Sequence, residues 1–221
     1  MKPSLLHPPL DPSKFATSKY TWQDLKEIIS NNRFPIYRHV DQETTYRLYT
    51  QQLKKEWKSV YDFVLYCKFE YSKRLIPIVG DDDADVRVGV SVVGLGGNNN
   101  NNENETTTDE KTNNNYYPTL PNIPSPPNGY LWESYPPPEK VNQKQRILAK
   151  NDFPYYMEDG IEHWCLWKLG GDDVDETDIK WGMRELNSQC DDIEMLHWIN
   201  PEHLKSLPGI DHAHIVCWKK K

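Results

Sequence analysis

Apolar positions in the N-terminal third recur with a helical period. In "SKYTWQDLKEIISNN", Trp22, Leu25, Ile28 and Ile29 share one face, Thr21 stands at the N-cap and Asp24 follows at the third helical position. Asn31-Asn32 closes the helix, and "FPIYRHV" reads as a short extended link. A second stripe, with some drift, runs through Tyr46, Leu48, Tyr49, Leu53, Trp57, Val60, Tyr61, Val64 and Leu65, with Asp41 as its cap. It outruns the roughly 8–20 residues of an ordinary globular helix, which predicts a bend or break near Lys58-Ser59.

The C-terminal part alternates instead. "RILAKNDFPYYM" reads as a strand entering a turn. In "GIEHWCLWKL", Ile161, His163, Cys165 and Trp167 fall on one face and Glu162, Trp164, Leu166 and Lys168 on the other. A helix capped by Asp175 follows, then strands over "DIEMLHWIN" and "IDHAHIVCWKKK". These elements predict an α+β fold in which N-terminal helices pack on a small, mostly antiparallel C-terminal sheet with one helix.

Between the two patterns the periodicity stops. "DDDADVRVGVSVVGLGG" offers at most a weak strand, and "NNNNNENETTTDEKTNNN" buries too little apolar area to offset the entropy of ordering. Eight prolines between Pro118 and Pro138 predict an extended, polyproline-like stretch. The expected organisation is an irregular tail over 1–18, a helical part over 19–78, a disordered Asn-rich and Pro-rich insertion over 79–140, and a sheet-containing part over 141–221. The last is too short to be comfortable alone, so both ordered parts are assigned to a single domain.

Composition narrows the class. No apolar run reaches the roughly 20 residues of a spanning helix, and the N-terminus lacks the apolar core of an export signal, so no membrane association and a cytoplasmic location are expected. Cys67, Cys165, Cys190 and Cys217 form no CxxC pair and are expected to be reduced. The net charge of -7 argues against a nucleic-acid partner. The charge is uneven, +5 over residues 1–78 and -12 beyond.

The residues able to do chemistry cluster late. Five of the seven histidines follow residue 160, and His212 and His214 share a strand face with Val216. Were the strand of His163 to pair alongside, three imidazoles would converge. On the residues alone, three readings stay open. The histidines are core residues satisfied by a carbonyl or by Asp211; they form a His₃ metal site with one open position; or they grip a phosphate. No further Asp, Glu or Cys stands at a spacing that would close a metal site, so no metal ligand is assigned, and no cofactor follows. Asn151 and Asp152 in "NDFPYY" are either turn residues or a strand end aimed at a pocket. Asn200, His203, Lys205 and Ser206 in "NPEHLKSLPG" are either a solvated loop or an anion contact. There is no phosphate-binding glycine loop, no GxSxG and no HExxH.

The blocks "TWQDLKEII", "RHVDQETTY", "NDFPYYMEDGIEHWCLWKL" and "WINPEHLKSLPGIDHAHIV" together resemble the fungal N-acetylglucosamine-induced protein family, whose domain has no assigned function. The likeness spans roughly residues 19–70 and 144–218 and implies a cytosolic protein of amino-sugar metabolism, with no implied reaction. The C-terminal half also resembles the histidine-triad nucleotide hydrolases and transferases. That likeness implies His212 as first histidine and His214 as nucleophile, with Val216 in place of the third. The resulting expectation is a protein that binds or acts on a nucleotide-sugar or sugar phosphate. His214 and His212 would be its catalytic candidates, and His163, Asn151, Asp152, Lys205 and Ser206 its binding residues. Alternatives are a non-catalytic regulatory binder of the same pathway, a His-ligated metal protein, or a protein whose segment 118–138 docks a proline-recognising partner.

Overall fold

The computed structural model describes residues 11–78, 123–141, 143–170, 173–189, 192–205, 207 and 209–219. Two layers of helix enclose a four-stranded antiparallel sheet. Helix α1 (Trp22–Ser30) begins with the expected capping box, Thr21 and Asp24 each satisfying the other's backbone N–H. The longer stripe divides into α2 (Val40–Glu56) and α3 (Val60–Phe69), with the break where it was expected. Ser59 caps α3 by accepting the Asp62 N–H. The cap of α2 is His39, not Asp41. The His39 ring accepts the Asp41 N–H, and Gln42 accepts the His39 N–H. Asp41 sits inside the first turn, where its charge favours the helix dipole.

Strands β1 (Ser72–Pro77) and β2 (Tyr130–Tyr135) form an antiparallel ribbon. This corrects the expectation of disorder throughout 79–140: residues 123–141 are described, and β2 lies within them. The proline pattern concealed β2 because its fixing contacts are distant in sequence. Ser134 donates its backbone N–H and its hydroxyl to the carboxylate and carbonyl of buried Asp62 on α3. The weak strand considered after residue 80, the asparagine tract, Cys190 and the first ten residues of the tail lie outside the described residues.

The main sheet has the order β3-β4-β6-β5, built from β3 (Gln145–Lys150), β4 (Ile161–Leu169), β5 (Ile193–Trp198) and β6 (Asp211–Lys219). Helix α4 (Glu176–Asn187), capped by Asp175, carries the chain from β4 to β5, and β6 then enters between them. Period-two alternation sorts the side chains. Leu166, Ala213 and Ile215 meet α4, whereas Val216 and Trp198 meet α1 and Leu169 meets α2 and α3. His163, Cys165, His212 and His214 share the second face and are buried.

The α4 contact is tight. A Cβ on Gly182 would come within 3.1 Å of Ile215 Cδ1 in the sheet centre. Gly182→Val is therefore expected to destabilise the protein by about 1–3 kcal/mol through overpacking. The urea midpoint measures this, and an unshifted midpoint would contradict the packing.

Candidate functional site

Register assembles the site. In the β4–β6 ladder, His163 lies opposite Val216, Cys165 opposite His214 and Trp167 opposite His212. His163 thus reaches His214 diagonally, Nε2 to Nδ1 at 2.9 Å, and the His212 and His214 ring centres are 5.2 Å apart. The imidazoles do converge, in aromatic surroundings: Trp198 stacks on His214, Tyr155 on His163, and Trp167 tilts over His212.

Directed hydrogen bonds fix the tautomer of His214. Trp198 Nε1–H can only donate, and it donates to Asn200 Oδ1 at 3.1 Å. Asn200 therefore presents its Nδ2 to His214 Nε2, 3.0 Å away, which must accept. The neutral ring of His214 then carries its proton on Nδ1 and gives it to His163 Nε2. On the other side of the pair, the Tyr155 N–H points at His163 Nδ1 from 3.5 Å. Asn151 is fixed in the same way, its Oδ1 accepting the Phe153 N–H, and its Nδ2 lies 3.3–3.4 Å from both His163 nitrogens.

Above this floor, α2 and α3 roof a cavity of about 180 Å³. His212, His214, Asn200, Asn151 and Asp152 contribute polar groups to its wall, and Tyr46, Tyr49, Phe153 and Trp167 contribute aromatic ones. Of the sequence-derived candidates, the structure therefore brings His212, His214, Asn151, Asp152 and Asn200 to one cavity. His163 lies behind them, supporting His214. Lys205 is directed elsewhere, its Nζ 3.0 Å from both Asp211 and Glu202. Ser206 lies outside the described residues. Sequence reasoning passed over Cys165, Trp167 and Lys68. The first two were visible as neighbours of His163 on the alternating face. Lys68 carried no local signal, because it meets its partner Asp152 at 2.8 Å only through the packing of α3 on the loop after β3.

Residues 21–218 match the family model described as a protein of unknown function (DUF3605). The chain belongs to that family. No curated protein matches it. Among solved structures, the crystal structure of HTC1 is similar at a TM-score of 0.42 with 14% identity, over 91% of this chain and 86% of that one. Among the described residues of this DUF3605 protein, no helix is long and apolar enough to cross a membrane.

The donor set His163, Cys165 and His214 brings three potential metal-ligand atoms within 4.8 Å of one another. The Cys165 Sγ to His214 Nδ1 separation of 3.6 Å would suit a tetrahedral ion. The surroundings do not. A ligating imidazole normally hands its other N–H to an acceptor. Here the outer nitrogen of His214 faces the Asn200 amide N–H₂, a donor. Burial also pushes the Cys165 thiol up to about 12. Elemental analysis of purified DUF3605 protein is expected to find far less than one zinc per chain. One zinc retained through dialysis would overturn this.

Burial also holds the imidazoles neutral. It lowers His163 to about 3, with Arg38 and His212 adding to the effect, and it carries His214 well below its ordinary value, helped by His163 and His212. His212 is lowered too, again chiefly by burial. Its Nδ1 makes no hydrogen bond of good geometry, although the Ile210 carbonyl lies close enough to favour the protonated form. The unfolded chain protonates these histidines as pH falls through about 6.5, and the folded chain does so only far lower. Stability is therefore expected to be flat above pH 7 and to fall between about pH 6.5 and 3, by on the order of 1.4 kcal/mol per unit for a histidine such as His163. Urea titrations at pH 7, 6 and 5 measure this, and His163→Gln should flatten the slope. A pH-independent midpoint in the parent protein would refute the neutral buried imidazoles.

Proposed function

We propose that this protein is a non-catalytic binder of a nucleotide-sugar or sugar phosphate of N-acetylglucosamine metabolism, held in the cavity between α2, α3 and the β4–β6 face. The observation that carries the reading is the composition of that wall. Flat aromatic faces from Trp167, Tyr46, Tyr49 and Phe153 stand beside fixed amides and a carboxylate from Asn151, Asn200 and Asp152. Aromatic faces accept the C–H surface of a sugar ring while fixed polar ends read its hydroxyls. Size supports the same class. An apolar cavity of roughly 150 Å³ holds a benzene-sized ring, so about 180 Å³ accommodates one sugar ring. The nucleotide of a larger ligand would extend outside it. The amino-sugar assignment and a cytoplasmic location rest on the family resemblance of the sequence blocks.

The hydrogen bonds of His214 favour binding over turnover. Nδ1 is engaged with His163 and Nε2 receives the Asn200 amide, leaving neither nitrogen free to attack a phosphate. Val216, which stands in the third histidine position of the histidine-triad pattern, is fully buried against Trp22 and Leu25 of α1. The enzyme reading keeps one supporting observation, the place of His214 on the cavity wall.

Calorimetry with UDP-N-acetylglucosamine and with N-acetylglucosamine 6-phosphate tests the proposal. At least one should bind, and the ligand should be recovered unchanged after long incubation. Absence of binding to both sinks the reading. Turnover that disappears in His214→Ala would replace it with the enzyme reading.

A further inference from the structure

The charges around the cavity are not evenly matched. Four charged residues line it: Arg38, Lys68, Lys150 and Asp152. Lys68 is paired with Asp152 at 2.8 Å, and Lys150 with Glu162 at the same distance. Among the described residues, Arg38 has no carboxylate to itself. Its Nη1 lies 3.2 Å from Glu43 Oε2, while the other oxygen of Glu43 receives Arg47 Nε at 2.9 Å. Two guanidinium groups share one carboxylate, leaving a positive charge uncompensated at the cavity edge.

Arg38 is also held still. Its Nε donates to the Phe153 carbonyl at 3.0 Å, and its guanidinium lies 4.4 Å from the ring centre of Tyr46 and 5.4 Å from that of Tyr155. Four-fifths of the side chain is buried. A planar fork fixed by stacking, with donors beyond those already used, is preorganised for two oxygens of a phosphate or carboxylate. Position adds to this: Arg38 immediately precedes the N-cap of α2, and its charge is felt as far as His163 and His214 in the cavity floor.

We infer that Arg38 is the anion anchor of this cavity and that the ligand it selects is a sugar carrying a terminal phosphate or carboxylate, in preference to the neutral sugar. The inference rests on the binding proposed above and assigns the end of the ligand that the aromatic and amide wall leaves unread. Glu43 sets the strength of the anchor by withdrawing part of the charge of Arg38.

The test compares N-acetylglucosamine 6-phosphate, glucuronic acid and neutral N-acetylglucosamine by calorimetry on the full chain, with thermal melts as the folding control. The parent protein should bind one of the anionic sugars more tightly than the neutral one. Arg38→Gln should weaken that anionic sugar by about 10- to 100-fold, as expected for lost bonds to a charged group, and weaken the neutral sugar far less. Arg38→Lys keeps the charge without the fork and should fall between the two. It also serves if Arg38→Gln fails to fold. Glu43→Gln should tighten the anionic sugar several-fold, opposite to the effect of merely loosening α2. Equal binding of neutral and anionic sugars by the parent protein overturns the anchor while leaving the sugar site standing, as does unchanged anion binding in both Arg38 variants. No binding of any of the three sugars overturns the anchor, and overturns the site with it when UDP-N-acetylglucosamine fails to bind as well.

Discussion

Polar groups buried on a sheet face must be satisfied by one another, and in this protein that requirement falls on the second face of β4 and β6. His163, His212 and His214 are each about 95% buried between the sheet and the helical layer. The register makes this tolerable by setting His163 diagonal to His214, where one imidazole can donate to the next. A slip of one residue would send every side chain of the strand to the opposite face and place the imidazoles against α4, among Leu166, Ala213 and Ile215. The outer elements follow from the same constraint. Asn200, after β5, and the Asn151–Tyr155 segment, after β3, reach back over the sheet edge to supply the remaining partners.

That network is rich in donors. Asn200, Asn151 and the Tyr155 N–H all present hydrogens toward a small number of ring nitrogens, and the two amides are oriented by the Trp198 and Phe153 N–H groups, which can only donate. The polarity of the surroundings therefore decides what the histidines can do. It suits a neutral His214 that accepts from Asn200 and donates to His163, and it opposes metal ligation by His214, whose outer N–H would need an acceptor. The cavity lies on the far side of this floor, so a ligand would meet a rigid wall with fixed donors and acceptors. Such preorganisation reduces the ordering cost of binding.

The two helical segments that roof the cavity depend on a modest local feature, the interruption at Trp57–Ser59. A continuous helix would carry α3 away from the sheet. Instead Trp57 leaves helical geometry, Ser59 restarts the helix, and buried Asp62 binds both Ser59 and β2. The β1–β2 ribbon is thereby tied to α3, and α3 carries Lys68 to Asp152 at the cavity.

Local periodicity and capping chemistry determined α1, the division of α2 from α3, the strands of the main sheet, the cap of α4, and the common face of His163, Cys165, His212 and His214. These depend on spacings of two to four residues, which a chain displays wherever it is read. Asp41 misled because His39, a weaker signal for a cap, starts the helix two residues earlier by accepting the Asp41 N–H. Only the tertiary structure decided that β6 lies between β4 and β5, that β2 exists within a proline-rich stretch, that Lys205 serves Asp211, and that Arg38 stands at the cavity edge with an incompletely matched charge. Each of these is a contact between residues far apart in sequence or a choice among equally plausible partners. Their energies come from packing and complementary charge in three dimensions, which no local pattern encodes.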